Sequence, residues 1–170
     1  KNNPVKDYLI YSEKISYFKN FEKIISTGKT KAIVKSRYII DSSDVNFLID
    51  ENNFSSEKNT SINDQKSNFY YLEKFNFDIN EEILKGEDIV VITNFGLPKS
   101  DQMYFSTAMI NFQQKKFLAS DTTIKVDKNI FNNRNQDPRL KGVSSRGIGN
   151  KTFVNKGIFT SCNDNDKCPP

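Results

Sequence analysis

Polar and apolar positions recur along this chain in one spaced pattern: apolar, any, small, any, any, apolar, any, aromatic. Ile10-x-Ser12-x-x-Ile15-x-Tyr17 sets it, and Ile40-x-Ser42-x-x-Val45-x-Phe47 repeats it thirty residues on. Tyr70-x-Leu72-x-x-Phe75-x-Phe77 follows with Leu in the small slot. Phe105-x-Thr107-x-x-Ile110-x-Phe112 comes after a spacing of thirty-five, lengthened by a polar loop at 95–102. A shorter unit trails each copy: Ile24-x-Ser26, Phe54-x-Ser56, Leu84-x-Gly86 and Phe117-x-Ala119. Self-similarity at a fixed period signals a repeated architecture, and two-residue steps signal strands.

Steps of two keep side chains on one strand face, whereas the three-residue step from Ser12 to Ile15 does not. A bulge or corner at Glu13-Lys14 restores the parity and bends the strand. The equivalent corners fall at Ser43-Asp44, Glu73-Lys74 and Ala108-Met109. Polar runs at 19–20, 35–37, 50–53, 63–68, 80–82, 113–116 and 127–129 have turn compositions at about every fifteenth residue. The expectation is an all-β chain, an antiparallel meander of bent strands that encloses a groove. A parallel solenoid shares the period but needs no reversing turn twice per repeat. The first half of the groove face comprises Ile10, Ile15, Tyr17, Ile24, Ala32, Val34, Ile40, Val45, Phe47, Phe54 and Ile62. The second comprises Phe75, Phe77, Leu84, Ile92, Phe105, Ile110, Phe112, Phe117 and Ile124. Small residues at Ser12, Ser26, Ser42, Ser56, Gly86, Thr107 and Ala119 are expected to give the groove width.

Composition narrows this picture. Only 36% of the 170 residues are apolar and 27% are charged, which suits a thin sheet with a wet outer face. No run approaches the ~20 apolar residues of a membrane-spanning helix. The net charge of +4 is spread along the chain, mostly as Lys, and reads as a solvated outer surface. Beginning at Lys1 and stopping at Pro169-Pro170, the chain reads as an excised domain.

Catalytic and metal chemistry find little support. The chain has no His, the commonest general base and metal ligand. The Glu81-Glu82 pair reads as solvated charge in a turn. Gly28-Lys29-Thr30 resembles the end of a phosphate-binding loop, but Lys23 stands where the first glycine is required. Gly142 and Gly147 have that loop's separation, yet Ile148 follows in place of Lys. Asp164-Asn165-Asp166 lacks the distant bidentate Glu of a calcium loop. No enzyme activity, metal or cofactor is expected. Aromatics interleaved with lysines suit nucleic acid only where rings lie on the outer face, and here they occupy the groove slots, so no nucleic-acid partner is expected. Cys162 and Cys168 leave two readings: a small local disulfide loop, or a bridge from one of them to a region outside the chain. Either implies an oxidising compartment.

With those residues in view, the chain resembles the OstA-like (organic-solvent-tolerance) family of lipopolysaccharide-transport β-jellyroll domains. The pattern at 10–17 and 40–47, and Thr27-Gly28 followed by Thr30, Ala32 and Val34, resemble its repeats. Asp137-Pro138-Arg139-Leu140-Lys141-Gly142-Val143-Ser144-Ser145, the Asn155-Lys156-Gly157-Ile158-Phe159-Thr160-Ser161-Cys162 stretch and Cys168-Pro169-Pro170 resemble the segment joining the family's periplasmic domain to an outer-membrane barrel. The resemblance implies a V-shaped β-jellyroll over 1–136 and a C-terminal segment, 137–170, leading towards a barrel. It implies a lipid conduit at the periplasmic face of a Gram-negative outer membrane, binding lipid A acyl chains. It also implies a homologous periplasmic bridge protein docked at an edge strand, a barrel-plugging lipoprotein reached through the barrel, and a disulfide that includes Cys162. Alternatives are the bridge protein itself and a structural β-repeat module without a ligand.

Overall fold

The structure, a computed structural model, describes residues 8–131 and 136–163, and every strand pairing in it is antiparallel. β1 (Tyr8–Phe18) and β2 (Lys23–Val34) are long strands, as are β9 (Ile83–Ile92), β10 (Gln102–Asn111), β11 (Lys116–Lys125) and β12 (Arg139–Ile148). Between β2 and β9 lie six short ones: β3 (Tyr38–Ser43), β4 (Asn46–Leu48), β5 (Asn53–Ser56), β6 (Thr60–Asp64), β7 (Phe69–Leu72) and β8 (Lys74–Asp78). β13 (Lys151–Asn155) and β14 (Ile158–Thr160) complete the sheet, and two short 3-10 turns cover Lys19–Phe21 and Lys128–Phe131.

The short strands are halves of bent ones. β2 pairs with β3 near one end and with β4 near the other, β3 then pairs with β6, and β4 with β5. β6 pairs with β7 and β5 with β8, and both β7 and β8 pair with β9. The result is a closed, barrel-like ring of eight strands, β2-β3-β6-β7-β9-β8-β5-β4. β1 extends it from β2, and β10 to β14 extend it from β9. Each bent strand pairs with the next in sequence, so the connection rule is that of a meander. The parallel solenoid is excluded.

The corner reading is right for three copies and wrong for the fourth. Ladder register shifts between Ser12 and Lys14, β3 gives way to β4 across Asp44, and β7 to β8 at Glu73. In β10, however, Phe105 pairs with the buried Ile89 while Ala108 pairs with Gly86, and Ser106 drops out of both ladders. Thr107 is exposed opposite Glu87, so the three-residue step runs from Phe105 to Ala108 and no corner lies at Ala108-Met109. The shorter units are likewise whole strands: Leu84-x-Gly86 continues through a three-residue step into buried Ile89 and Val91, and Phe117-x-Ala119 into buried Thr122 and Ile124. Gly28, Asp44, Asp88 and Asp121 sit on this bend line with φ of +81°, +51°, +47° and +47°. That left-handed region favours Gly and tolerates Asp.

Eight strands enclose an interior about wide enough for side chains to fill. Phe47 stacks on Phe54 with centroids 4.3 Å apart, and Tyr8 meets Phe47 edge-on at 4.4 Å. Tyr38 contacts Phe77 at 5.4 Å and Phe112 at 5.0 Å, joining the two half-sheets across the interior. The middle of the expected groove is therefore a packed core.

Candidate functional site

The inward face is the candidate site, and alternation within the ladders builds it. Tyr8, Ile10, Ser12, Ile15 and Tyr17 lie opposite Val34, Ala32, Thr30, Ser26 and Ile24, and directly opposed residues share a face. Ala32, Val34, Ile40, Val45, Phe47, Phe54, Ile62, Phe75, Phe77, Leu84, Phe105 and Ile124 are buried there. Ile10, Ile24, Ile110, Phe112 and Phe117 are partly buried and packed against that core. Ile15 and Tyr17 keep the inward direction but are 48% and 60% exposed, because only β2 and no facing half-sheet covers them. At the far end Phe159 lies opposite Leu140 and is 55% exposed. Ile92 does not belong to the face: Ile89 and Val91 are buried, so alternation turns Ile92 outward, where it pairs with Phe69. Sequence reasoning missed Ile89 and Val91 because it stopped the unit at Gly86.

Several of the small residues beside the bend carry hydroxyls that bond to others, most of them buried, whereas Thr107 stands on the outer face with its hydroxyl 2.8 Å from that of Ser120. Thr30 Oγ1 donates to Ser26 Oγ at 2.7 Å and lies 3.1 Å from Ser12 Oγ. Ser42 and Thr60 hydroxyls are 2.7 Å apart, Thr122 and Ser145 hydroxyls 2.6 Å, and Ser56 Oγ donates to the Ser43 carbonyl at 2.7 Å. Pairing satisfies groups that burial would otherwise leave costly. A Cβ on Gly86 would meet the Leu72 side chain and, at 2.9 Å, the Lys74 carbonyl, so glycine here permits close strand approach.

Opposite the bend, the two rims of turns meet, and an ion cluster joins them. Glu82, in the turn after β8, is 2% exposed. It accepts from Lys35 Nζ at 3.0 Å, from the Arg37 guanidinium and from Tyr38 Oη at 2.7 Å, all from the turn after β2 or the start of β3. The reading of Glu81-Glu82 as a solvated pair is thus corrected: Glu81 is exposed, and Glu82 is a buried clasp between half-sheets. Burial pushes the Glu82 carboxyl up. Hydrogen bonds from Tyr38 and Lys35, with the Lys35 and Arg37 charges, outweigh it and hold the group below its ordinary value. The same burial, then the bond to Glu82, raises the Tyr38 phenol.

Two further features bear on partners. β1 pairs with β2 alone among the described strands, so one edge carries unpaired backbone groups beside exposed Leu9, Tyr11 and Phe18. At the other end Cys162 is disulfide-bonded, its carbonyl accepting from Arg139 Nη1 at 2.8 Å, and Asp137 N–H donates to the Ser161 carbonyl at 3.2 Å. Cys168 and the 164–166 triplet lie outside the described residues. Gly28, the decoy phosphate-loop glycine, is a bend residue whose N–H donates to Asp44 Oδ1 at 2.9 Å. Neither a protein-family model nor a curated protein matches this chain.

Proposed function

We propose that this chain is a periplasmic conduit domain. It receives lipopolysaccharide by its acyl chains along the inward apolar face and passes it to an outer-membrane barrel for surface assembly, the role of the periplasmic domain in an LptD-type translocon. The fold assigned in this reading is the V-shaped OstA-like jellyroll. One observation carries the proposal: the inward face is continuous along the sheet, and its apolar side chains are open to solvent near β1 and again near β14. An acyl chain carries about 0.8 kcal/mol of transfer free energy per CH₂, so several chains need cover at every point of a crossing. The domain acts without catalysis and encodes no energy source; flow is driven from elsewhere. The bare edge of β1 takes the bridge protein by strand addition. The lipoprotein plug is met through the barrel, and the Cys162 disulfide fits an oxidising periplasm. Because the middle is packed, passage requires the half-sheets to part, and the Glu82 clasp is the contact that must yield.

Photocrosslinking residues placed at Ile15, Phe47 and Phe112 test this against outward controls at Lys14 and Lys74. The expected result is adducts with lipopolysaccharide from the three inward sites and none from the controls. Adducts confined to Lys14 and Lys74 would reject it. A second reading, a structural β-repeat module with a filled core, is favoured by the Phe47–Phe54 stack and the buried clasp. Under it, Phe47 and Phe112 yield no lipid adduct.

A further inference from the structure

On the reverse of the sheet, between the bend line and the turns at 112–115 and 149–150, β10 to β13 present an unusual outer face. Lys85, Met109, Leu118, Arg146 and Phe153 stand in one cross-strand row, each opposite the next. Asn111, Lys116, Ile148 and Lys151 make the adjoining row. Met109, Leu118, Ile148 and Phe153 are 38%, 56%, 47% and 46% exposed. Met109 and Leu118 also line a shallow hollow with Lys74 and Lys85. The cations of the two rows are not neutralised by acids, whereas Lys74 in the hollow is held by Glu57 at 3.3 Å and Glu87 at 3.4 Å. Arg146 lies over the Phe153 ring at 4.9 Å and Lys116 reaches Gln114 at 3.2 Å. Lys85, Lys116, Arg146 and Lys151 form no ion pair with a carboxylate among the described residues. The remaining outward positions, Thr107, Ser120, Ser144 and Asn155, are neutral. Nearby acids gather on the bend line as Glu87, Asp88 and Asp121, line the hollow as Glu57, or stand on a turn as Glu81.

We propose that this face is a peripheral docking surface for an anionic lipid bilayer. The charge pattern selects a polyanion, and the exposed aliphatics select which kind. Met109, Leu118 and Ile148 offer nothing to a nucleobase, and the Phe153 ring that could stack on one already carries the Arg146 guanidinium. Apolar side chains ringed by Lys and Arg fit the boundary between lipid headgroups and acyl chains. Cations near such a surface add electrostatic attraction that decays within a Debye length. This surface is the opposite side of the sheet from the inward face, so the inference stands or falls independently of what that face carries.

The test is flotation of the full chain with vesicles of phosphatidylcholine containing one-third phosphatidylglycerol, against pure phosphatidylcholine, at low and high salt. Binding is expected to the anionic vesicles only and to weaken with salt. At roughly fivefold in partition per cation, Lys116→Gln with Arg146→Gln lowers binding about 25-fold. Leu118→Ser, which keeps every charge, lowers it severalfold. Lys29→Gln with Lys31→Gln, on the outer face of β2, leaves it unchanged. All these positions are exposed, and far-ultraviolet circular dichroism verifies the sheet in each variant. The idea is overturned by equal binding to pure phosphatidylcholine, by no binding, or by affinity unaltered in both the double variant and Leu118→Ser. Preferential capture of a single-stranded oligonucleotide or an acidic polypeptide over anionic vesicles also overturns it.

Discussion

Glu82 joins turns that are far apart in sequence, and its carboxylate is worth more to the fold than a surface charge because the facing half-sheet shields it from water. Glu82→Gln keeps the shape but removes the charge that Lys35, Arg37 and Tyr38 address, and should cost about 1–3 kcal/mol in urea unfolding at neutral pH. The folded carboxyl is held below its ordinary value, so its contribution is complete above the ordinary carboxylate range and is lost as pH falls through the folded value. The stability gap between wild type and Glu82→Gln should therefore stay constant from neutral pH down to about 5 and shrink in stronger acid. A gap that persists undiminished at the acid end of that titration refutes the assignment. Nothing local to Glu81-Glu82 tells the two acids apart, since Lys35 and Tyr38 lie 47 and 44 residues away. The partners become neighbours only when two turns on opposite rims meet. The hydroxyl row is a gentler case: Ser12, Ser26, Ser42 and Ser56 were visible as small residues, but their partners Thr30 and Thr60, and the Thr122–Ser145 pair, depend on strand register.

At the scale of the strand, bending is written into single residues. Asp121 breaks the β11–β12 ladder between Ser120 and Thr122 and adopts φ of +47°. Asp121→Gly should leave unfolding free energy within a few tenths of a kcal/mol, because glycine enters this region freely. Asp121→Val should lose about 1–2 kcal/mol, since a β-branched side chain crowds the backbone there. Equal midpoints for the two variants in thermal unfolding would remove the bend line as a conformational constraint. The three-residue step was legible at Ser12, Ser42 and Leu72 because it starts there from the residue in the repeat's small slot. It was misphased in β10 because Thr107 and Ala108 are adjacent small residues, and spacing alone does not say which one faces inward. Ile92 was put on the wrong face of β9 because the three-residue step from Gly86 to Ile89 went unseen. Ring closure was not legible at all: it depends on each short half-strand finding its neighbour in its own half-sheet, which the period does not encode.

Across the whole molecule, burial falls from the middle of the sheet to both ends. Phe47, Phe54 and Leu72 are fully buried in the ring, whereas Tyr17, Phe21 and Phe159 are 60%, 75% and 55% exposed. Regions with few buried contacts open at low free energy, and amide hydrogen exchange reads that opening directly. Amides of β1, β13 and β14 should therefore exchange orders of magnitude faster than those of Ile40, Phe47 and Phe77. The denaturant dependence of the slow set then separates the two functional readings. A conduit needs a partly opened state in which β3 and β6 move away from β4 and β5 without unfolding. Exchange at Ile40 and Phe47 would then carry a small denaturant dependence, and Glu82→Gln would accelerate it by more than its loss of global stability accounts for. A filled structural module has no such state, so the same amides would exchange only through global unfolding, with the full dependence on urea and no excess effect of Glu82→Gln.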